Sequence, residues 1–491
     1  MSRFKLSYIF AAAVFAALSV SIAEGQLPDP GPARSVQVPA VKEATLKNGL
    51  KIAVVERRAV PSISATLLFN AGGDKEGAKK AGLARMTASL LTKGTKTRSA
   101  TEIAEQSEFN ASSISGFAQW HTANVGMGVL TSGFDTGMEI FSDVVRNPSF
   151  TQSEIDLLKK QALDGLKSSL SQPSSLASYA SSVYTFREHP VGGTPASVQS
   201  ITKGDIEAFY QKHYRPAGAV LIFVGDITLT KAVAEAEKYF GTWTNTGKTS
   251  QYSSGGWGQG SVGPAIMPVF SRFLVIDLPE SGQASVNYFK QVYGGGRNTK
   301  DFYTASVLNS LLGGGYSSRL NQEIRIKRGL SYGAGSSFSW RNGPPTFSVS
   351  TQTKDTSAAE VAELIIAELR RLGDTSTTGP ELEPRKAVLT GTFGRNLETN
   401  SGIASAIANL YSLGVSTSEL NAYMGSVGGV SNEAVKDYAK KYFVAGDILI
   451  VGDYAKFKDD LAKRFPTTKI EVIRASDLDI ESPTLRKGDV Q

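Results

Sequence analysis

The chain has 491 residues, 41% hydrophobic and 20% charged, the make-up of a globular protein with material for several cores, on the order of two to four domains by length. It contains no cysteine, which excludes disulfides, thiolate metal sites and cysteine nucleophiles. The formal charge of +7 is scattered, with no basic block interleaved with aromatics, and this argues against nucleic acid as a partner.

Residues 1–23 have the pattern of a cleaved export signal. Arg3 and Lys5 precede the apolar run Tyr8 to Val20, and Ser21-Ile22-Ala23 puts small residues where a signal peptidase reads. The run is short for a membrane span of about 20 residues. The expectation is export to a bacterial periplasm, with cleavage at Ala23 and no stable membrane association afterwards. Residues 24–40 are Pro-rich and read as extended.

A first domain is expected over 41–243. Ala44 to Glu56 reads as a hairpin turning at Asn48-Gly49, and Ser62 to Phe69 as a strand. Helices follow at Gly82–Leu91 and Ala100–Phe109, then strands near Ile114–Phe117 and Thr122–Leu130. Helical periodicity covers Phe134–Val145, Ser153–Ser169, Leu176–Phe186 and Lys203–Tyr214, before a buried strand at Ala219–Gly225. Residues 244–264 form a Gly/Ser-rich linker. Residues 265–475 make a second domain and 476–491 a loose polar tail.

The second half repeats the first. Ser89-Leu90-Leu91 and Gly94 recur as Ser310-Leu311-Leu312 and Gly315, and Glu102-Ile103 as Glu323-Ile324, all at an offset of 221. Ser197-Val198 through Val224-Gly225-Asp226 is mirrored by Ser426-Val427 through Val451-Gly452-Asp453. Matches in the same order imply duplicated α+β domains of roughly 210 residues each.

The order NGLKIAVVE, GLARMTASLLTKGT and LLGGGYSSRLNQEIRIKRGLSYG resembles the pitrilysin/insulinase family of zinc peptidases, in the branch of the mitochondrial processing peptidase and its bacterial relatives. The resemblance runs from about Leu46 to about Ile473. It implies two homologous domains, each an antiparallel-rich sheet covered by helices, arranged as a clam shell. In that family H-x-x-E-H supplies two zinc ligands and a Glu that activates water, and a later helix supplies a third ligand. Here Arg85 and Ser89 stand at the His positions and Ala88 at the Glu position. Gly165 or Leu166 falls at the third, with Asp164 the nearest carboxylate. This chain is therefore expected to carry no zinc or other cofactor and to be inactive alone. His121, His189 and His213 have no ligand spacing and read as packing or surface residues. No nucleophile elbow is present.

In the second half, Leu320 and Ile324 set a helical period, Gly329 stops it, and Leu330 and Tyr332 open a strand. Arg325 and Tyr332, seven apart, have the chemistry to hold peptide carbonyls and an oxyanion. The residues alone leave open a blander role, with Arg325 at a helix C-terminus and Tyr332 in a strand core. The resemblance assigns the pair to substrate at a partner chain's zinc site, with Arg328 a weaker candidate. Gly313-Gly314-Gly315 resembles a shortened Gly-rich recognition loop of the non-catalytic processing-peptidase subunit, and a tight turn is the alternative.

The function implied is a non-catalytic, substrate-binding subunit of a heterodimeric exported zinc metallopeptidase. Its partner would be a homologous chain with H-x-x-E-H that carries the zinc, and its substrates unstructured peptides that add as a strand to the partner's sheet edge. The alternative is a zinc-free structural or assembly protein of the same fold, like the core subunits of a respiratory complex.

Overall fold

A computed structural model describes residues 36–244, 272–375, 377–443 and 445–488. The export signal, most of the Pro-rich segment and nearly all of the Gly/Ser-rich stretch lie outside the described residues. Among those described, no helix is long and apolar enough to cross a membrane.

The first half builds one mixed sheet from β1 (Lys42–Thr45), β2 (Lys51–Glu56), β3 (Ser62–Phe69), β4 (Ser113–Ala118), β5 (Ala123–Leu130) and β6 (Val220–Gly225). The second builds another from β7 (Phe273–Asp277), β8 (Gln283–Gln291), β9 (Ser331–Arg341), β10 (Gly343–Lys354), β11 (Asp447–Gly452) and β12 (Ile470–Arg474). The orders are β1-β2-β6-β3-β5-β4 and β12-β7-β11-β8-β10-β9. Five strands of each sheet keep one order and one pairing pattern: β2 with β6 and β7 with β11 are parallel, and the rest antiparallel. The sequence repeat is thus a repeat of topology. Only the sixth strand breaks it, since β1 joins antiparallel to β2 and β12 parallel to β7. The fold is α+β, two six-stranded sheets with helices.

The strands follow from their side-chain alternation. In β5, Ala123, Val125, Met127 and Val129 face the core, while Asn124, Gly126 and Gly128 face the other way. The central strands β6 and β11 are buried at every residue, because both faces of their sheets are covered there. One face of the first sheet packs on helices of its own half, Leu83–Leu90, Phe134–Arg146 and Lys203–His213.

The other face is covered by exchange. Ile403, Ala404, Ile407 and Leu410 of the helix Asn400–Ser412, from the second half, pack on Ala53, Val55, Leu68, Val220, Ile222 and Val224. In return, Leu176, Ala177, Ala180 and Val183 of Pro173–Tyr184, from the first half, pack on Leu274, Ile276, Phe289, Leu449 and Val451. Each such Leu or Ile contributes about 1.5–3 kcal/mol by leaving water. Polar contacts pin both crossings. Asn400 Nδ2 donates to Ser62 O at 3.1 Å, and Thr185 Oγ1 donates to Asp447 at 2.9 Å, where Arg272 also binds.

The C-terminal segment is not loose through residue 488. Leu485 is fully buried beside Leu478 and Ile480, and Arg486 pairs with Glu471 at 3.0 Å. Three apolar residues spaced through a polar stretch are enough to seat it, and no regular period announces them.

Candidate functional site: a remodelled metal position and an Arg–Tyr pair at the surface

The helix Leu83–Leu90 starts at Gly82, whose φ of +96° suits glycine. The buried Glu76 carboxylate caps it, accepting the N–H of Gly82 at 2.7 Å and of Ala84 at 2.5 Å. Burial pushes the Glu76 carboxyl up to about 7, against the pull of the helix N–H groups. Ala84, Met86, Ala88 and Leu90 are buried. Beneath Ala88 runs β4, so close that a Cβ on Gly116 would lie 2.3 Å from the Ala88 carbonyl oxygen.

Arg85 and Ser89, four apart, share one helix face and open onto a cavity of about 350 Å³. The helix Gln152–Leu170 brings Gly165 and Leu166 to the same cavity. The fold therefore gathers the three positions that the resemblance pairs with a metal. A Cβ on Gly165 would meet nothing within 4 Å, so space remains where a third ligand would project. The donor set does not suit zinc: a guanidinium is a cation without a free lone pair, Ser89 offers a neutral hydroxyl, and Gly165 has no side chain. Asp164 does not line the cavity. Among the described residues, no three His, Asp or Glu side chains are placed to hold a metal ion.

The three histidines pack rather than line this cavity. His121 Nδ1 lies 2.9 Å from Asp74, and His189 lies 3.8 Å from Glu76 with its ring 5.1 Å from that of Trp120. The His213 ring lies tilted against Phe209, 4.6 Å between centres, and burial pushes its pKa down to about 4.

In the second half, the helix Asp301–Leu312 ends against β9. A Cβ on Gly313 would lie 2.3 Å from Ser336 N, and one on Gly314 would lie 2.7 Å from Ser310 Cα. Close approach thus accounts for these two glycines, the tight turn of the alternative reading. A Cβ on Gly315 would meet nothing. The segment expected to be an amphipathic α-helix over 320–327 is a single α-turn, Arg319–Asn321, followed by a π-helical turn, Gln322–Ile326. Lys327 N donates to Gln322 O at 2.9 Å, five residues back, and Gly329 ends the turn at φ +63°. Leu320 and Ile324 remain fully buried, as their spacing predicts.

This turn holds Arg325 between two tyrosines. Its guanidinium carbon lies 4.8 Å from the ring centres of both Tyr316 and Tyr332. Both rings are largely in solvent, Tyr332 at 89% and Tyr316 at 63% exposure. Arg325 makes no ion pair among the described residues. Arg328 is instead tied to Glu323, at 2.7 Å to the carboxylate and 2.9 Å to the carbonyl, with Glu360 at 3.8 Å.

Glu76, Tyr179 and Tyr316 join these sites without a signal in local periodicity. Tyr179 reaches the Arg85 cavity from Pro173–Tyr184, and burial pushes its phenol up while Arg85 pulls the other way. Tyr316 was legible only as the aromatic residue closing the Gly-rich loop. Two further cavities share Ser401, Ser405 and Asn409 of Asn400–Ser412. One, about 520 Å³, lies on β3, β5 and β4 and has no charged residue in its lining. The other, about 870 Å³, is lined by Phe302, Trp340, Phe393 and Tyr423.

Residues 51–196 match the insulinase domain of peptidase family M16, and residues 200–386 match the peptidase M16 inactive domain. An uncharacterized zinc protease of Mycobacterium leprae is 27% identical over 372 residues, 75% of this chain and 81% of that protein. The non-peptidase homolog YmxG of Helicobacter pylori is 23% identical over 438 residues, 84% of this chain and 94% of that one. A solved peptidase M16 inactive domain from Pseudomonas fluorescens superposes with a TM-score of 0.74 at 24% identity, covering 84% of this chain and 98% of its own. A protease from Helicobacter pylori gives 0.76 at 20% identity, covering 85% and 100%. With both family domains matched in order and the two-sheet fold shared, this chain belongs to the peptidase M16 family.

Proposed function

We propose that this chain is the non-catalytic, substrate-binding subunit of a heterodimeric zinc metallopeptidase. It supplies Arg325 and Tyr332 to a homologous partner that carries H-x-x-E-H and the zinc. The observation that carries this reading is the Arg325–Tyr332 pair, a half-buried guanidinium against a ring that stands in solvent, with no ion pair to Arg325 among the described residues, in a chain whose own metal position holds Arg85, Ala88 and Ser89. A tyrosine held in solvent against a guanidinium has a use outside its own core. Arg325 would bind backbone carbonyls, and the Tyr332 hydroxyl would donate to the oxyanion as it forms. Gly315, on the open side of the Gly313-Gly314 turn, would leave room for the peptide, and Arg328 would steady the turn through Glu323. The substrates are unstructured peptides. Export to the periplasm rests on the pattern of residues 1–23.

The experiment is to purify the chain alone and with a co-encoded H-x-x-E-H partner, and to assay peptide hydrolysis. The chain alone is inactive and binds no stoichiometric zinc. In the complex, Arg325→Ala or Tyr332→Phe lowers kcat/KM about 100–1,000-fold, the loss typical of one oxyanion donor. Peptidase activity of the chain alone refutes the reading. Full activity of both variants in the complex also refutes it, and leaves the fold as a structural scaffold.

A further inference from the structure

The cavity at the former metal position has a character of its own. Its polar groups are Arg85, Ser89, Gln161, Ser169 and Tyr179, and no carboxylate lines it. Where the family's chemistry calls for a divalent cation, this chain presents a guanidinium. Arg85 has no acidic partner among the described residues, in contrast to Arg319, which is held by Glu381 at 2.6 Å.

Gly192 lets two donors approach its backbone closely. A Cβ there would lie 3.0 Å from the Tyr179 hydroxyl oxygen and 3.3 Å from Arg85 Nη1. The backbone at Gly192 does not require glycine, since its φ lies outside the left-handed region, so the close approach of these two donors is what glycine permits. Two donors, one charged, thus converge on the Gly192 backbone at one wall of the cavity. The walls beyond are apolar: Leu158, Ala162, Leu166 and Val198. A volume of about 350 Å³ is at the small end of ligand pockets, enough for one terminal residue rather than a chain.

We propose that this cavity is a carboxylate-binding site that takes the free C-terminus of a peptide ending in an aliphatic residue. Arg85 and the Tyr179 hydroxyl donate to the two carboxylate oxygens, and the last side chain lies against Leu158, Leu166 and Val198. Gln161 and Ser89, at the rim, hydrogen-bond the terminal amide. Inorganic phosphate shares the anionic chemistry but leaves the apolar walls unused, which selects the peptide. The site needs no partner subunit and no metal, so it stands or falls apart from the proposed peptidase role.

The test is calorimetric titration of the full chain with acetyl-Ala-Ala-Leu as the free acid, with its C-terminal amide, and with inorganic phosphate. The free acid binds saturably, and the amide and phosphate bind at least about tenfold more weakly, the scale of one charge-assisted hydrogen bond. Arg85→Gln weakens the free acid by about tenfold or more, Tyr179→Phe by a smaller factor, and Gly192→Ala weakens it by displacing both donors. Thermal melts check that each variant is folded, and Arg85 is exposed enough for its variant to be so. The assignment is overturned if the free acid fails to saturate, if the amide or phosphate binds as well as the acid, or if Arg85→Gln and Gly192→Ala both bind as wild type.

Discussion

Glu76 makes the stability of the first half depend on pH in a direction opposite to most carboxylates. Its carboxyl is raised from 4.5 to about 7 because burial outweighs the helix N–H groups it accepts from. Between these values the unfolded chain releases the proton while the folded chain keeps it, so stability falls as pH rises. The full effect is about 3 kcal/mol above pH 7 and absent below pH 4.5. His213 works the other way. It stays neutral in the folded chain down to about 4, whereas the unfolded residue charges below 6.5, so stability falls as pH drops. His213 is only half-buried, and solvent screening reduces its share to about 1–2 kcal/mol.

The two slopes offset each other in the native protein, and single variants separate them. Glu76→Gln keeps one acceptor for the helix N–H groups and removes the titration. Its constant loss is irrelevant, because the slope is what is read. Denaturant unfolding followed by tryptophan fluorescence, from about pH 5 to about pH 7.5, is the assay. Relative to wild type, Glu76→Gln gains about 2–3 kcal/mol across that range, and His213→Phe steepens the decline. Parallel profiles for wild type and Glu76→Gln would mean that Glu76 is ionised throughout, and would refute the burial argument.

Other variants probe the frame. Ile407→Ala and Leu176→Ala each lose about 2–5 kcal/mol, and both lower the same thermal transition, because each helix covers the other half's sheet. Gly225→Ala is destabilised by more than about 2 kcal/mol in the same measurement, since its φ is +140° and a Cβ would lie 2.1 Å from Ser62 O. Tyr316→Ala and Tyr332→Ala leave the melting midpoint almost unchanged, shifting stability by no more than about 1 kcal/mol, because the rings are exposed and each forfeits one cation–π contact. A large drop in melting temperature there would make the pair structural.

Much of the fold was legible because its signals are local. The strand Ser62–Phe69 and the helix Ala100–Phe109 fall on the residues expected from the sequence, and in the structure a Ser99–Glu102 capping box starts the helix. The repeat at offset 221 carried the pairing pattern of the second sheet with it. Periodicity was silent on which surface a helix covers. The pattern of Pro173–Tyr184 states that one face is apolar, not that its sheet belongs to the other half. The π-turn was hidden for a similar reason, since Leu320 and Ile324 satisfy an α-helical period whether or not one residue is inserted after them. At the sites, Arg85 and Ser89 were readable from one helix. Tyr179 and Gly192 come from segments roughly 100 residues later and meet them only through the packing of three helices.

The exchanged helices bear on how the chain is made. A first half leaving the ribosome has an apolar sheet face, Val220, Ile222 and Val224 among it, that stays bare until residue 412 has been synthesised. At roughly 5–20 residues per second that wait lasts on the order of ten seconds or more, long enough for holding chaperones to matter. The same crossing makes the covalent link between halves a means of proximity rather than of cohesion. A chain cut there keeps both helices seated, and comes apart only when one half unfolds.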